Sequence, residues 1–222
     1  MGKQIAIDGP AGAGKSTIAK RLSVEKGFIY VDTGAMYRAV ALYFIKSGKD
    51  FHDEGVVEKS LPEIKIELKY VDGVQRVLLN GEDVSTEIRK EEVGNAASVT
   101  SVYPPVRSYL TALQKKIAEE NNVVMDGRDI GTVVLPNAQA KIYLTASVET
   151  RAKRRFDELT AKGESPVLSE IEDDIRDRDY RDMHRETAPL KQADDAVLLD
   201  SSDLNIDEVV AEMKRICAEK GV

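Results

Sequence analysis

Cysteine is nearly absent from these 222 residues: Cys217 stands alone, so no disulfide can form within the chain and a reducing compartment is expected. Excess positive charge is missing too. The 32 Lys and Arg residues are outnumbered by 39 Asp and Glu, for a formal charge of −7. That excludes bulk nucleic-acid binding, which needs a basic footprint to displace counterions. A small anionic ligand is not excluded, since it responds only to a local cluster of basic side chains. No apolar run approaches the roughly 18 residues of a membrane span, so no membrane partner is expected. The chain passes from Met1 straight into the strand-like Gln4-Ile5-Ala6-Ile7-Asp8. A signal peptide would show a basic start, a longer apolar stretch and a small-residue cleavage site, and a cytoplasmic location is therefore expected. Histidine is scarce, with His52 and His184 alone, and both are expected at the surface or behind the site.

What is present suits one α/β domain. A hydrophobic fraction of 42% is enough for a core, and 32% charged residues is ordinary for a soluble protein. Strand-like and helix-like segments alternate, the pattern of a parallel sheet flanked by helices. Ile5–Asp8, Phe28–Val31, Asn122–Asp126, Lys141–Thr145 and Ala196–Leu199 are predicted strands. Ser16–Lys26 and Ala35–Ser47 are predicted helices, stopped by Gly27 and Gly48. In a last helix, Ile206–Lys220, Val209, Val210, Met213, Ile216 and Cys217 fall at helical spacing, with the thiol as a small hydrophobe. Pro104-Pro105 marks a break between helices. One segment departs from the rhythm. Ile64–Tyr70 alternates with period two, Asp72-Gly73 offers a hairpin turn, Val77–Leu79 a second strand and Asn80-Gly81 another turn. A small antiparallel β insertion is expected from about Pro62 to Arg89.

Gly9-Pro10-Ala11-Gly12-Ala13-Gly14-Lys15-Ser16 matches G-x-x-x-x-G-K-[ST] in full, between a predicted strand and a predicted helix. Glycines let successive backbone N–H groups converge on phosphate, and the following helix points its positive end at the same anion. Lys15 can reach the β- and γ-phosphates of ATP, and the Ser16 hydroxyl can ligate Mg²⁺. Asp126, closing an apolar strand, is the candidate carboxylate for the metal or its waters.

A P-loop also fits a GTPase or a motor ATPase, but the chain has no Asn-Lys-x-Asp element for guanine. It has arginine instead. Arg38 follows Asp32-Thr33-Gly34, Arg128 follows a strand end, Arg151, Arg154 and Arg155 share one helix, and Arg176, Arg178, Arg181 and Arg185 crowd one stretch. Phosphoryl transfer between two anions calls for such groups, because a guanidinium pairs bidentately with phosphate and stays charged. A helix face of alternating charge also fits solvent, and that reading stands beside the functional one for Arg176–Arg185.

Several stretches together resemble the bacterial cytidylate kinases: Gly9–Thr17, Asp32–Arg38, Asn95–Ser98, Asp126–Thr132, Arg178–Arg185 and the tail run Ala188–Ser201. The resemblance runs in order along nearly the whole chain. It implies a single nucleoside monophosphate kinase domain over residues 1–222, which phosphorylates CMP or dCMP from ATP with Mg²⁺ and acts as a monomer. Gly9–Thr17 would hold ATP. Arg154 and Arg155 would belong to a helical lid, at about residues 155–180. Arg38, Arg128 and Arg185 would grip the acceptor phosphate, with Thr33 beside them. Ser98, Arg107 and Asp129 would face cytosine, and Arg178 and Asp182 the sugar. Lys15, Arg128, Arg178 and Arg185 would carry the chemistry. Kinases for UMP, shikimate or gluconate, and a non-catalytic nucleotide sensor, are the alternatives. The base-reading residues argue against the sugar-type acceptors, and the lid arginines against a sensor.

Overall fold

In the computed structural model of the chain, which describes residues 2–71 and 73–222, the short apolar runs form strands and the amphipathic segments form helices. In chain order these are β1 (Gln4–Asp8), α1 (Lys15–Lys26), β2 (Ile29–Asp32), α2 (Thr33–Ser47), α3 (Glu54–Ser60), β3 (Ile66–Val71), β4 (Val74–Leu79), β5 (Glu82–Asp83), α4 (Glu91–Thr100), α5 (Pro104–Glu120), β6 (Val123–Gly127), β7 (Ala140–Thr145), α6 (Val148–Ala161), α7 (Leu168–His184), β8 (Val197–Asp200) and α8 (Ile206–Glu219). The chain divides into two compact units, one of Met1–Tyr30 with Asn121–Val222 and the other of Val31–Glu120.

The first unit is built on a sheet of order β2-β6-β1-β7-β8, to which β2 contributes Ile29 and Tyr30. β1 runs parallel to β6 and β7, and β7 parallel to β8. An interior parallel strand is covered on both faces and needs apolar side chains throughout, hence the fully buried Ile5, Ala6 and Ile7. Ile18 and Leu22 of α1, together with Val209, Val210, Met213, Ile216 and Cys217 of α8, belong to the same core. The stripe predicted for the last helix is thus its buried face. Register sets Asp8 beside Gly127 on one side and Tyr143 on the other, so three strands end together at their carboxyl edge. Ligands of open α/β sheets bind at such edges.

The second unit holds α2–α5 and the antiparallel sheet β3-β4-β5, which lies within the predicted insertion. Ile66 faces Leu79 and Leu68 faces Val77 across its first pair. The expected turn at Asn80-Gly81 forms with both residues at positive φ, 51° and 89°, as a tight hairpin of primed type requires. The Asp72 half of the other expected turn lies outside the described residues. α5 begins at Pro104, where a missing N–H costs nothing.

Two features that bear on the site differ from the sequence reading. α2 starts at Thr33 rather than Ala35, because the Asp32 carboxylate caps it by accepting the Ala35 N–H at 2.9 Å. After β6, residues Ile130–Val134 form one turn of π-helix, with the Leu135 N–H donating to Ile130 O at 2.6 Å. Among the described residues no helix is long and apolar enough to cross a membrane.

Candidate active site

The loop between β1 and α1 starts with a close approach. A Cβ on Gly9 would lie 1.9 Å from the Leu144 carbonyl oxygen, so only glycine lets the chain leave β1 here. Pro10, Ala11, Gly12, Ala13 and Gly14 complete the loop, and α1 begins at Lys15 with no side-chain cap on its N-terminus and no acidic residue in its first turn. That combination leaves the helix end electropositive. The Lys15 ammonium is buried and donates to Pro10 O at 2.7 Å. Burial pushes its pKa well below the ordinary lysine value and the Arg128 guanidinium pushes the same way, against Asp126, Asp8 and Asp182. Thr17, also assigned to ATP, is exposed on α1.

Asp126 at the end of β6 joins one predicted and one unpredicted partner. Its Oδ2 accepts from the Ser16 hydroxyl at 3.0 Å, and its Oδ1 accepts from the buried Tyr30 phenol at 2.8 Å. These are hard oxygen donors of the kind Mg²⁺ takes. Magnesium commonly binds one or two protein oxygens and completes its shell with phosphates and water. The residues therefore fit the ion as part of a nucleotide complex. They do not form an all-protein cage, since among the described residues no group of three or more His, Cys, Asp and Glu side chains is placed to hold a metal.

Asp8 was missed by sequence reasoning. Its carboxylate accepts the N–H groups of Ile130 and Gly131, each at 2.7 Å, and so fixes the turn that follows Arg128 and Asp129. Burial pushes its pKa up to about 6 despite those two hydrogen bonds and the positive charge of Lys15. No local pattern marks it, because its partners lie more than a hundred residues along the chain.

The arginine-rich stretch divides by helical face. Arg178 and Asp182 share one face of α7 at i, i+4 spacing, and Arg185 stands just past the end of that helix. Arg128 Nε donates to Asp182 Oδ2 at 2.8 Å, while Arg185 lies 3.6 Å from Asp129 and 3.9 Å from the second Asp182 oxygen. Burial raises the Asp182 pKa, but Arg128, Arg178 and Arg185 outweigh it and the net shift is downward. The structure thus brings together Arg128, Asp129, Asp182 and Arg185. Arg176 pairs instead with Glu172 and Asp173 on an exposed face, where the solvent reading holds.

The three arginines of α6 differ. Arg154 donates to Ser201 O at 2.7 Å, and Arg155 pairs with Glu158 at 3.1 Å in solvent. Arg151 is the buried one, bonded to Ala11 O, Ala146 O and Asp179.

The second unit holds the remaining residues. Thr33 and Arg38 lie in the first two turns of α2, Ser98 in α4 and Arg107 in α5. Buried Arg107 donates to Ser101 O at 3.1 Å and stacks its guanidinium 5.5 Å from the centroid of the Tyr37 ring. The Ser98 hydroxyl donates back to Gly94 O at 3.3 Å, as a serine within a helix does. Asp32, which caps α2, also accepts from Arg89 at 3.0 Å, and its backbone N–H donates to Gln75 Oε1 at 3.0 Å.

The model of the cytidylate kinase family matches residues 5–219. A cytidylate kinase of Lactobacillus johnsonii is 49% identical over 217 residues, covering 98% of this chain and 94% of that protein. One of Caldicellulosiruptor bescii is 51% identical over 209 residues, covering 94% and 92%. A solved structure of an uncharacterized protein from Eubacterium ventriosum shares the fold, with a TM-score of 0.51 at 13% identity over 96% of each chain. On the family match and these identities, the chain belongs to the cytidylate kinase family.

Proposed function

We infer that the chain transfers the γ-phosphoryl group of ATP to CMP or dCMP, yielding ADP and CDP or dCDP. The observation that carries this reading is the grouping, at the carboxyl edge of the sheet, of buried Lys15 from the phosphate loop with Arg128, Asp129, Asp182 and Arg185. Anionic phosphate bound between Lys15 and Arg128 would offset the repulsion between the two groups.

The donor phosphates lie in the cradle of Gly9–Thr17, with Lys15 on the migrating group. Arg154 and Arg155 serve the nucleotide from the lid, and the Ser16 hydroxyl and Asp126 carboxylate hold Mg²⁺, directly or through water. Bound there, the ion supplies charge neutralisation to the phosphates. Arg38, Arg128 and Arg185, with Thr33, orient the acceptor phosphate, and Arg178 and Asp182 take the sugar. The acceptor oxygen is already anionic at neutral pH, so no general base is needed. Catalysis then reduces to alignment and charge stabilisation by the guanidinium groups and Lys15.

Ser98, Arg107 and Asp129 read the base. Cytosine offers an amine donor with a ring nitrogen and carbonyl as acceptors; a carboxylate complements the first and Arg107 and a hydroxyl the others. Uracil presents a carbonyl to the carboxylate and is disfavoured. The chain acts on its substrates as a monomer, and those substrates are metabolites of the cytoplasm. Incubation with ATP, Mg²⁺ and CMP should give CDP and ADP in equal amounts. Lys15→Ala, the loss of the cradle's cation, should keep less than about a tenth of that turnover. A variant that keeps more removes Lys15 from the donor site.

A further inference from the structure

We propose that Arg151 is a positioning residue that sets the shape of the phosphate loop and ties it to α7, with Asp179 completing the tie. The inference rests on the phosphoryl-transfer reading. Arg151 stands in the first turn of α6 with its side chain 4% exposed, and its guanidinium is shared among three acceptors. Nη1 donates to Ala11 O at 3.0 Å, Nε to Ala146 O at 2.9 Å and Nη2 to Asp179 Oδ2 at 2.6 Å. Those acceptors belong to the phosphate loop, the turn after β7, and α7.

The bond to Ala11 has a consequence for phosphate. A trans peptide points its C=O and N–H in opposite directions. Holding the Ala11 carbonyl toward Arg151 therefore turns the Gly12 N–H away from the guanidinium, as a loop whose amides face an anion requires. The loop also packs against the arginine stem, because a Cβ on Gly12 would meet the Arg151 Cβ at 3.4 Å. Arg151 is thus occupied by the protein and shapes the cradle from behind.

The bond to Asp179 has a different consequence. Asp179 is the neighbour of Arg178 and lies one turn before Asp182, so one buried guanidinium registers the loop against the helix that carries both. Stability alone gives little reason for such a pair, since burying two charges costs about as much as their attraction returns. A lysine keeps the charge but cannot span three acceptors in one plane.

The two bonds separate experimentally. Arg151→Lys disturbs the loop, and its dissociation constant for ATP alone, measured by calorimetry, should rise at least fivefold while the KM for CMP stays within twofold. Asp179→Asn leaves the carbonyl bonds in place. Its ATP affinity should stay within threefold, its kcat should fall at least fivefold, and Asp179→Glu should recover part of that loss. A smaller rise for Arg151→Lys, or an equal rise in the KM for CMP, overturns the loop role. A kcat for Asp179→Asn above a fifth of the parent's overturns the tie to α7. If Arg151→Lys does not unfold cooperatively, the two Asp179 variants decide. The calorimetric arm needs no acceptor, so failure of the parent to phosphorylate CMP would overturn the reaction assignment separately from the role of Arg151 in ATP binding.

Discussion

Asp129 carries the most specific assignment made for any single side chain, and its surroundings sharpen the test. It is buried at 7% side-chain exposure and lies 3.6 Å from Arg185. Asp129→Asn removes the charge, keeps the size and lets an amide offer either a donor or an acceptor to the base. Loosening Arg185 should slow both acceptors alike, so the ratio of kcat/KM for CMP over UMP isolates the base contact. A mismatched buried polar pair costs about 1–3 kcal/mol, so that ratio should drop roughly tenfold or more. An unchanged ratio removes Asp129 from base reading. Asp8 yields a prediction in pH. Its carboxyl is raised by burial from 3.8 to about 6, so between those values the folded chain binds a proton that the unfolded chain has lost. Stability contributed by this group therefore falls as pH rises from about 4 to 6, by about 3 kcal/mol at most. Asp8→Asn lacks that fall. The stability of the variant minus that of the parent, from denaturant unfolding, should rise across this window and level off above it. A flat difference would show that Asp8 titrates normally. Neither the raised Asp8 nor the buried Arg151 was legible in the sequence. The strand pattern that contains Asp8 says nothing of amides at Ile130 and Gly131, and the spacing of Arg151, Arg154 and Arg155 gives a helix without saying which of them faces the loop.

At the scale of elements, Asp32 links the inserted sheet to the helix proposed to hold the acceptor phosphate. It caps the helix that carries Thr33 and Arg38, and it is itself held by Gln75 of β4 and by Arg89. The Arg89 side chain is half exposed, so its ion pair contributes little and the cap dominates. Asp32→Ala should cost about 1–2 kcal/mol of stability. It should also raise the KM for CMP severalfold while leaving that for ATP within twofold. An equal rise for both substrates would detach the insertion from the acceptor. Elements with a periodic or punctuated sequence were legible: the apolar parallel strands, the helices stopped by Gly27 and Gly48, the Asn80-Gly81 turn and the proline start of α5. The two exposed residues of β5 carry no pattern and pair only because β4 lies beside them. Thr33 and Gly34 are weak helix formers, so the pattern alone points to Ala35 as the start of α2, and the Asp32 cap overrides it. The π-turn after β6 depends on Asp8, whose carboxylate no local rule brings to it.

For the whole molecule, the family match covers residues 5–219, a span that includes the phosphate loop and the arginine cluster. The arginines explain why an acidic chain can take two anionic substrates. The net charge is −7, yet Lys15, Arg128, Arg178 and Arg185, the groups proposed to handle phosphate, lie near one another with Asp126 and Asp182 among them. Specificity is then decided by the base, since every nucleoside monophosphate brings the same phosphate. The most direct measurement is a competition in one vessel, with the full chain, Mg²⁺, limiting ATP, and equal concentrations of CMP, dCMP, UMP, AMP and GMP. The distribution of diphosphate products reads the ratios of kcat/KM without separate assays. CDP and dCDP should dominate, with UDP at least tenfold lower and purine products lower still. A mixture dominated by UDP, ADP formed from AMP, or GDP would contradict cytosine recognition by Ser98, Arg107 and Asp129.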